Sequence, residues 1–331
     1  MQVFVSDLHL TDGTIGVSVP DGELVHRLLE PLEQRSKTES IDLVLLGDIF
    51  ELLRSTEWEA LWVAPHYIAP WTSMSVDFTN FPPAAKECSV RILKKIVSRY
   101  PEFSKRLKSL IEQGNVRTHF VPGNHDFMVQ LSEEARSIVS DFLSLRRVDV
   151  HQKFETHYAN EEAEVFAVHG NRADPLNWHD GPTGQWAFGD AIVLRLVNSF
   201  ITEACRSSGS EPVGGTPIVR ALQDLDNVEP SEDLGLYFRF ILERELTNEK
   251  QRGEVLEFWR DAVNQILTLE EFSDRLYADR SHRFMKEALE LSKDSELATL
   301  AVKLYKKYQQ LFGTEDLYLA EAQRLFNTLE G

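Results

Sequence analysis

Met1 to Leu10 reads MQVFVSDLHL, and the organisation of the chain follows from it. Val3, Phe4 and Val5 form a short apolar run that predicts a strand. The strand delivers Asp7 and His9 at its carboxyl end. Residues two apart on an extended chain point the same way, so a carboxylate and an imidazole converge on one point, as a metal ion requires. By itself D-x-H is a common pattern that more often carries no function. Its weight comes from the other strand ends along the chain.

Ile41 to Leu46, IDLVLL, is apolar enough for a strand buried on both faces. It ends in Gly47-Asp48. The glycine lets the backbone turn sharply, and the carboxylate after it stands at the edge where ligands gather in open α/β sheets. A turn aspartate or a helix cap is the plain alternative. Val116 to Val121 predicts a third strand, running into Pro122-Gly123-Asn124-His125-Asp126. Asn124 offers a neutral oxygen, His125 a proton or hydrogen bond, and Asp126 a carboxylate that can hold His125 in one tautomer. Gly-Asn is also ordinary turn chemistry. Val148 to His151 and Glu164 to Val168 read as further strands, the second ending in His169-Gly170. Strand ends in succession therefore carry Asp7 and His9, then Asp48, then Asn124 and His125, then His169. Coincidence explains such a set poorly.

Between these strands the pattern turns helical. Leu24 to Arg35 predicts a helix that Pro31 bends or ends. Ala84 to Gln113 predicts a long one, interrupted near Pro101 and closed by Gly114-Asn115. Ser132 to Leu145 predicts another. Residues 52–83 contain Trp58, Trp62, Trp71 and Phe81 with weak periodicity. They read as an ordered loop, either a lid beside the site or a segment packed on the core.

The 331 residues leave room for one large domain, or for a domain and a subdomain. A net charge of −18 disfavours tracking along an extended nucleic-acid backbone, which needs clustered Lys and Arg. It permits a small phosphorylated substrate, because metal ions supply positive charge locally. Two cysteines, Cys88 and Cys205, make no disulfide framework, so a reducing cytoplasm is the expected setting. No apolar run is long enough to span a bilayer. A cleaved signal peptide is not expected, since residues 3–9 already read as a strand and site.

These motifs resemble those of the calcineurin-like metallophosphoesterases. That family's order is D-x-H, G-D, G-N-H-[DE], a lone His and a final G-H-x-H. Asp7-Leu8-His9, Gly47-Asp48, Gly123-Asn124-His125-Asp126 and His169 match the first four over roughly residues 1–172. The resemblance implies an α/β fold, a sandwich of sheets flanked by helices, with the catalytic core in 1–172. It implies two divalent metal ions. Asp48 would bridge them, Asp7 and His9 would serve one, and Asn124 and His169 the other. His125 would not be a ligand but would act on the transition state or leaving oxygen. The mixed donor set suits Mn best, with Fe or Zn as substitutes. The implied activity is hydrolysis of a phosphomonoester, phosphodiester or pyrophosphate on a small-molecule or nucleotide-type substrate. SDLHL and GDIFE are also similar to the UDP-2,3-diacylglucosamine pyrophosphatase branch. That branch has G-N-R-D where this chain has Gly123-Asn124-His125-Asp126, so its substrate does not transfer.

The chain departs from the family at the last motif. It contains no G-H-x-H, and after His169 its only histidines are His179 and His282. Each metal would then lack one imidazole and bind weakly. The favoured explanation is a natural chain that continues past Gly331 into the missing strand. A second is that Asp174, His179 or another chain completes the site. A third is a degenerate site, which opens a reading of another class, a protein-binding module working through the helical half.

Residues 185–330 are expected to be almost all helix, an insertion or cap attached to the core. Gln185 to Ala204 and the stripe Leu256, Trp259, Val263 and Ile266 carry helical spacing. Ser207 to Pro217 reads as a loop, and Ser231 can cap a helix over Leu234 to Leu246. Leu297, Leu300, Leu304, Tyr308 and Leu311 form a last stripe. Lys303, Lys306 and Lys307 read as a solvated face. This half could cap the site, bind a protein partner or form a homo-oligomer.

Overall fold

A computed structural model describes residues 1–16, 19–59, 83–145, 149–171, 177, 190, 192–207, 244 and 248–268. They fall into two compact units, which divide between Gly170 and Asn171. The candidate site lies entirely in the first.

The first unit is built on a parallel sheet of β1 (Gln2–Val5), β2 (Ile41–Leu46) and β3 (Val116–Val121), in that spatial order. Val5 pairs with Leu45 and Leu46 with Val121, so the three carboxyl ends share one edge. Leu43, Val44 and Leu45 are fully buried, as expected of a central strand. Tyr158 is buried with Val44 and Val121, and Leu46, Val165 and Ala167 pack on that cluster. Tyr158, Val165 and Ala167 come from an antiparallel pair, β4 (Tyr158–Asn160) and β5 (Val165–Ala167), which lays His169 beside the same edge.

Helices cover the rest. α1 (Asp21–Leu24) runs through a π-helical segment, Val25–Leu29, into α2 (Glu30–Ser36). Pro31 neither ends nor breaks this run. It sits in the first turn of α2, and the wider π turn before it relieves the missing N–H. The long helical stretch divides at Tyr100 into α3 (Pro83–Arg99) and α4 (Pro101–Glu112). α4 buries Phe103, Leu107, Leu110 and Ile111, one face of a helix. Its amino end is capped from a distance, since the Asp21 carboxylate accepts from the amides of Glu102 and Phe103 at 2.9 Å each. Ser132 caps α5 (Glu133–Phe142), its hydroxyl accepting from Ala135 N. Phe142 meets Phe50 and Phe103 at 5.7 Å between ring centroids, which joins the helices to the site loop.

One expected strand needs correction. Asp149 to His151 is a turn, not strand, because the Asp149 side chain accepts from His151 N and its carbonyl from Gln152 N. The strand stands later, at β4. Of the two readings open for residues 52–83, Trp58 takes the one packed on the core: it is fully buried and its indole donates to Leu52 O at 2.9 Å. Trp62, Trp71 and Phe81 lie outside the described residues, as do the helix expected over Leu234 to Leu246, apart from Arg244, and the stripe from Leu297 to Leu311.

In the second unit a π-helical turn, Ile192–Val197, leads into α6 (Asn198–Ser207), and α7 (Glu249–Thr268) lies against it. Phe200 meets Trp259 edge to face at 5.2 Å. Among the described residues no helix is long and apolar enough to cross a membrane.

Candidate metal centre

The loops that leave β1 and β2 run side by side. Asp7 N donates to Gly47 O, His9 N to Asp48 O and Leu10 N to Ile49 O, at 2.9 to 3.1 Å. This continues the parallel ladder past the strand ends and places Asp7, His9 and Asp48 together. All three have left-handed backbone, with φ of 56°, 43° and 53°. Such backbone costs a non-glycine residue of order 1–3 kcal/mol and concentrates where a structure needs side chains aimed. Gly123, after β3, lets that loop close in, for a Cβ there would strike the Asp48 side chain and its backbone nitrogen. His125 N then donates to Asp48 Oδ1 at 2.9 Å.

Asp48 is the hub. With Oδ1 held by the His125 amide, its Oδ2 lies 3.2 Å from His169 Nε2 and 4.0 Å from His9 Nε2. Asp7 Oδ1 is 3.9 Å from His9 Nε2, and the Asn124 side-chain oxygen is 3.2 Å from His169 Nε2. Donor atoms bound to one ion at roughly 2.0–2.2 Å lie about 3–3.5 Å apart. The arrangement around His169 already matches that spacing, and the group around His9 is slightly wider.

The imidazoles are oriented from behind. His169 Nδ1–H donates to Leu46 O at 3.0 Å, and His9 Nδ1–H donates to Glu51 Oε2 at 3.0 Å. Each ring is thereby left with Nε2 toward Asp48, the orientation a metal-binding histidine takes. These donors fit a divalent cation: two carboxylates, two imidazoles and an amide oxygen, with Asp48 common to both groups. His9, Glu51 and His125 also lie close enough to suggest a cation site. Their spacing is that of hydrogen bonds from two ring N–H groups to one carboxylate, which fills the space itself.

Glu51 is the residue that sequence reading missed. Its side chain is 1% exposed. Oε1 accepts from Leu53 N and Arg54 N at 3.0 and 3.2 Å, and Oε2 accepts from His9 Nδ1 at 3.0 Å and from His125 Nδ1 at 2.8 Å. The signal was its place in Gly47-Asp48-Ile49-Phe50-Glu51, a lone carboxylate within an apolar run beside a candidate ligand. Asp126 takes a different part from the one expected. Its carboxylate accepts from Gly123 N at 2.6 Å, Ile49 N at 2.8 Å and Phe50 N at 3.3 Å. It ties two site loops together, and Glu51, not Asp126, holds His125.

Charge obeys this geometry. Burial opposes ionisation of Glu51 and Asp48, but His125 and the other imidazoles outweigh it and hold both carboxyls below their usual range. Burial likewise opposes the charged form of His125, yet Glu51 and Asp48 raise it to about 9. His169 reaches about 9 against its own burial through its bond to Asp48. Burial and the neighbouring Asp48 charge push Asp126 up to about 7, against the pull of its three amides.

Asp174, His179 and His282, the remaining candidates for completing the ligand set, lie outside the described residues. No family model matches the chain, and no curated protein or solved structure matches it.

Proposed function

We propose that this chain is a metal-dependent hydrolase of phosphoric esters or anhydrides on a small-molecule or nucleotide-type substrate. The observation that carries the proposal is the convergence of Asp7, His9, Asp48, Asn124 and His169 on one sheet edge, with the outer nitrogens of both ligand histidines tied back. Asp7 and His9 would hold one cation, Asn124 and His169 another, with Asp48 shared and Mn the best match to the donors. When bound, such a pair neutralises phosphoryl charge and makes water a stronger nucleophile.

The residues themselves account for the rest. Asp7 is 58% exposed, so the site opens to solvent on that side and a substrate can reach it. His125 Nδ1 is committed to Glu51, which leaves Nε2 as the ring atom able to carry a proton to substrate. In the metal-free chain Glu51 and Asp48 raise the pKa of His125 to about 9, so the ring is charged there at neutral pH. In the proposed reaction a water oxygen bonds to phosphorus and loses one proton to solvent, the bond to the departing oxygen breaks, and His125 gives that oxygen a proton and is reprotonated from solvent.

A panel of chromogenic phosphomonoesters, phosphodiesters and pyrophosphates, assayed with added Mn²⁺, tests the proposal. Turnover of at least one class, abolished by chelation, is expected. No turnover of any class, together with no uptake of metal, would contradict it.

A further inference from the structure

We infer that Glu51 is a positioning residue for two imidazoles with different tasks, so that metal affinity and proton delivery depend on one buried carboxylate. The inference rests on the reading of His9 as a ligand and His125 as proton donor. Its observation is separate: both rings donate from Nδ1 to the same oxygen, Oε2, at 3.0 and 2.8 Å. The two rings meet each other edge to face, with centroids 4.7 Å apart and planes at 88°.

The carboxylate cannot turn away from this arrangement. Oε1 is held by the amides of Leu53 and Arg54, in the loop that Glu51 itself begins. Glu51 N donates to Leu10 O at 3.0 Å, one residue beyond His9, and Leu52 N donates to His125 O at 3.3 Å. Backbone and side chain therefore register three segments against one another: the loop after β1, the loop after β2 and the loop after β3. A carboxylate oxygen only accepts, so each ring must present N–H at Nδ1. For His9 this leaves the lone pair on Nε2, the atom facing Asp7 and Asp48. For His125 it leaves Nε2 as the atom that works on substrate. One acceptor sets both.

Glu51→Gln separates this role from packing. The amide keeps size and shape, and its oxygen can still accept from Leu53 N and Arg54 N. Its NH₂ then faces the rings and, as a donor, favours acceptor nitrogens at Nδ1. The ring proton moves to Nε2, where on His9 it blocks a metal. Orienting partners of this kind are typically worth about 10–100-fold in metal affinity or activity.

The test uses Mn²⁺ titrated by calorimetry into the full chain, with rates at saturating Mn²⁺, for wild type, Glu51→Gln, His125→Ala and the double variant. Melting temperatures establish that each is folded. Glu51→Gln is expected to weaken Mn²⁺ binding about 10–100-fold, and by a similar factor when His125 is already alanine, because that effect runs through His9. Its effect on rate at saturating metal should vanish in the His125→Ala background, because that effect runs through His125. If wild type binds Mn²⁺ and Glu51→Gln binds it within about twofold of wild type, the inference fails and the proposed function stands. A rate loss that persists undiminished in the double variant also overturns it. Should Glu51→Gln not fold, Glu51→Asp keeps the acceptor and withdraws it from the rings, and an affinity equal to wild type's would be equally fatal. Wild type that takes up no Mn²⁺ removes the proposed function and the inference together.

Discussion

The His169 imidazole occupies the space where a Cβ on Gly47 would stand. A methyl group there would overlap the Cβ, Cγ and Nδ1 atoms of His169, and Gly47 has a φ of +83° that a side chain tolerates poorly. The same turn presents Leu46 O to His169 Nδ1 and Asp48 to the rest of the site. Gly47→Ala should therefore lose about 1–3 kcal/mol of stability from backbone strain and also displace His169. Chemical denaturation and Mn²⁺ titration of the same variant check both. Unchanged metal affinity would mean that His169 does not need its observed position.

Stability of the metal-free chain should depend on pH through His125 and His169. Both are raised from 6.5 to about 9, because burial is outweighed by Glu51 and Asp48 for one and by Asp48 for the other. A raised folded-state pKa gives stability that is complete below the unfolded value and is lost as pH rises through the folded one. The melting temperature of chelator-treated protein should fall between pH 6.5 and about 9, on the order of 5 °C or more. Binding runs the other way. His169 must give up its Nε2 proton to hold a cation, so Mn²⁺ affinity should increase over the same range. Calorimetry in buffers of different ionisation enthalpy reads the released proton directly.

His125 and Asp48 should separate cleanly. His125→Ala removes no proposed ligand, so metal content should stay near wild type while the rate falls roughly 10²–10⁴-fold. Asp48→Ala removes the carboxylate common to both groups and should abolish binding at each. If His125→Ala strips metal as thoroughly as Asp48→Ala, the division of roles is wrong.

Asp126 should behave as a structural anchor. Asp126→Ala leaves the amides of Gly123, Ile49 and Phe50 buried without that acceptor, at about 1–3 kcal/mol for each one left unsatisfied. A large drop in the denaturation midpoint is expected. A variant as stable as wild type that had lost only activity would restore to Asp126 the control of the His125 tautomer that its place in the sequence suggests.

The backbone around the site was legible because apolar runs end abruptly. IDLVLL stops at Gly47-Asp48, and Val116–Val121 stops at Pro122-Gly123, so both strand ends and the residues they carry could be read directly. β4 was hidden, since Tyr158 is its one buried residue and three residues show no period. The neighbouring Val148 to His151 looks more like strand, until Asp149 is seen to close a turn with its own side chain. Proximity in sequence misled at Asp126. Its position beside His125 suggested a bond between them, whereas the tight turn aims its carboxylate at backbone amides. Glu51 escaped notice for the opposite reason: it lies 42 residues from His9 and 74 from His125, and only the parallel run of the loops brings the three together.

Whether Asp48 anchors a shared two-cation site is read by Mn²⁺ titrated by calorimetry into wild type and into Asp48→Ala. Wild type should show saturable uptake approaching two equivalents, weak enough to require added metal, and Asp48→Ala none. No binding by wild type, or equal binding by the two proteins, would contradict the shared site.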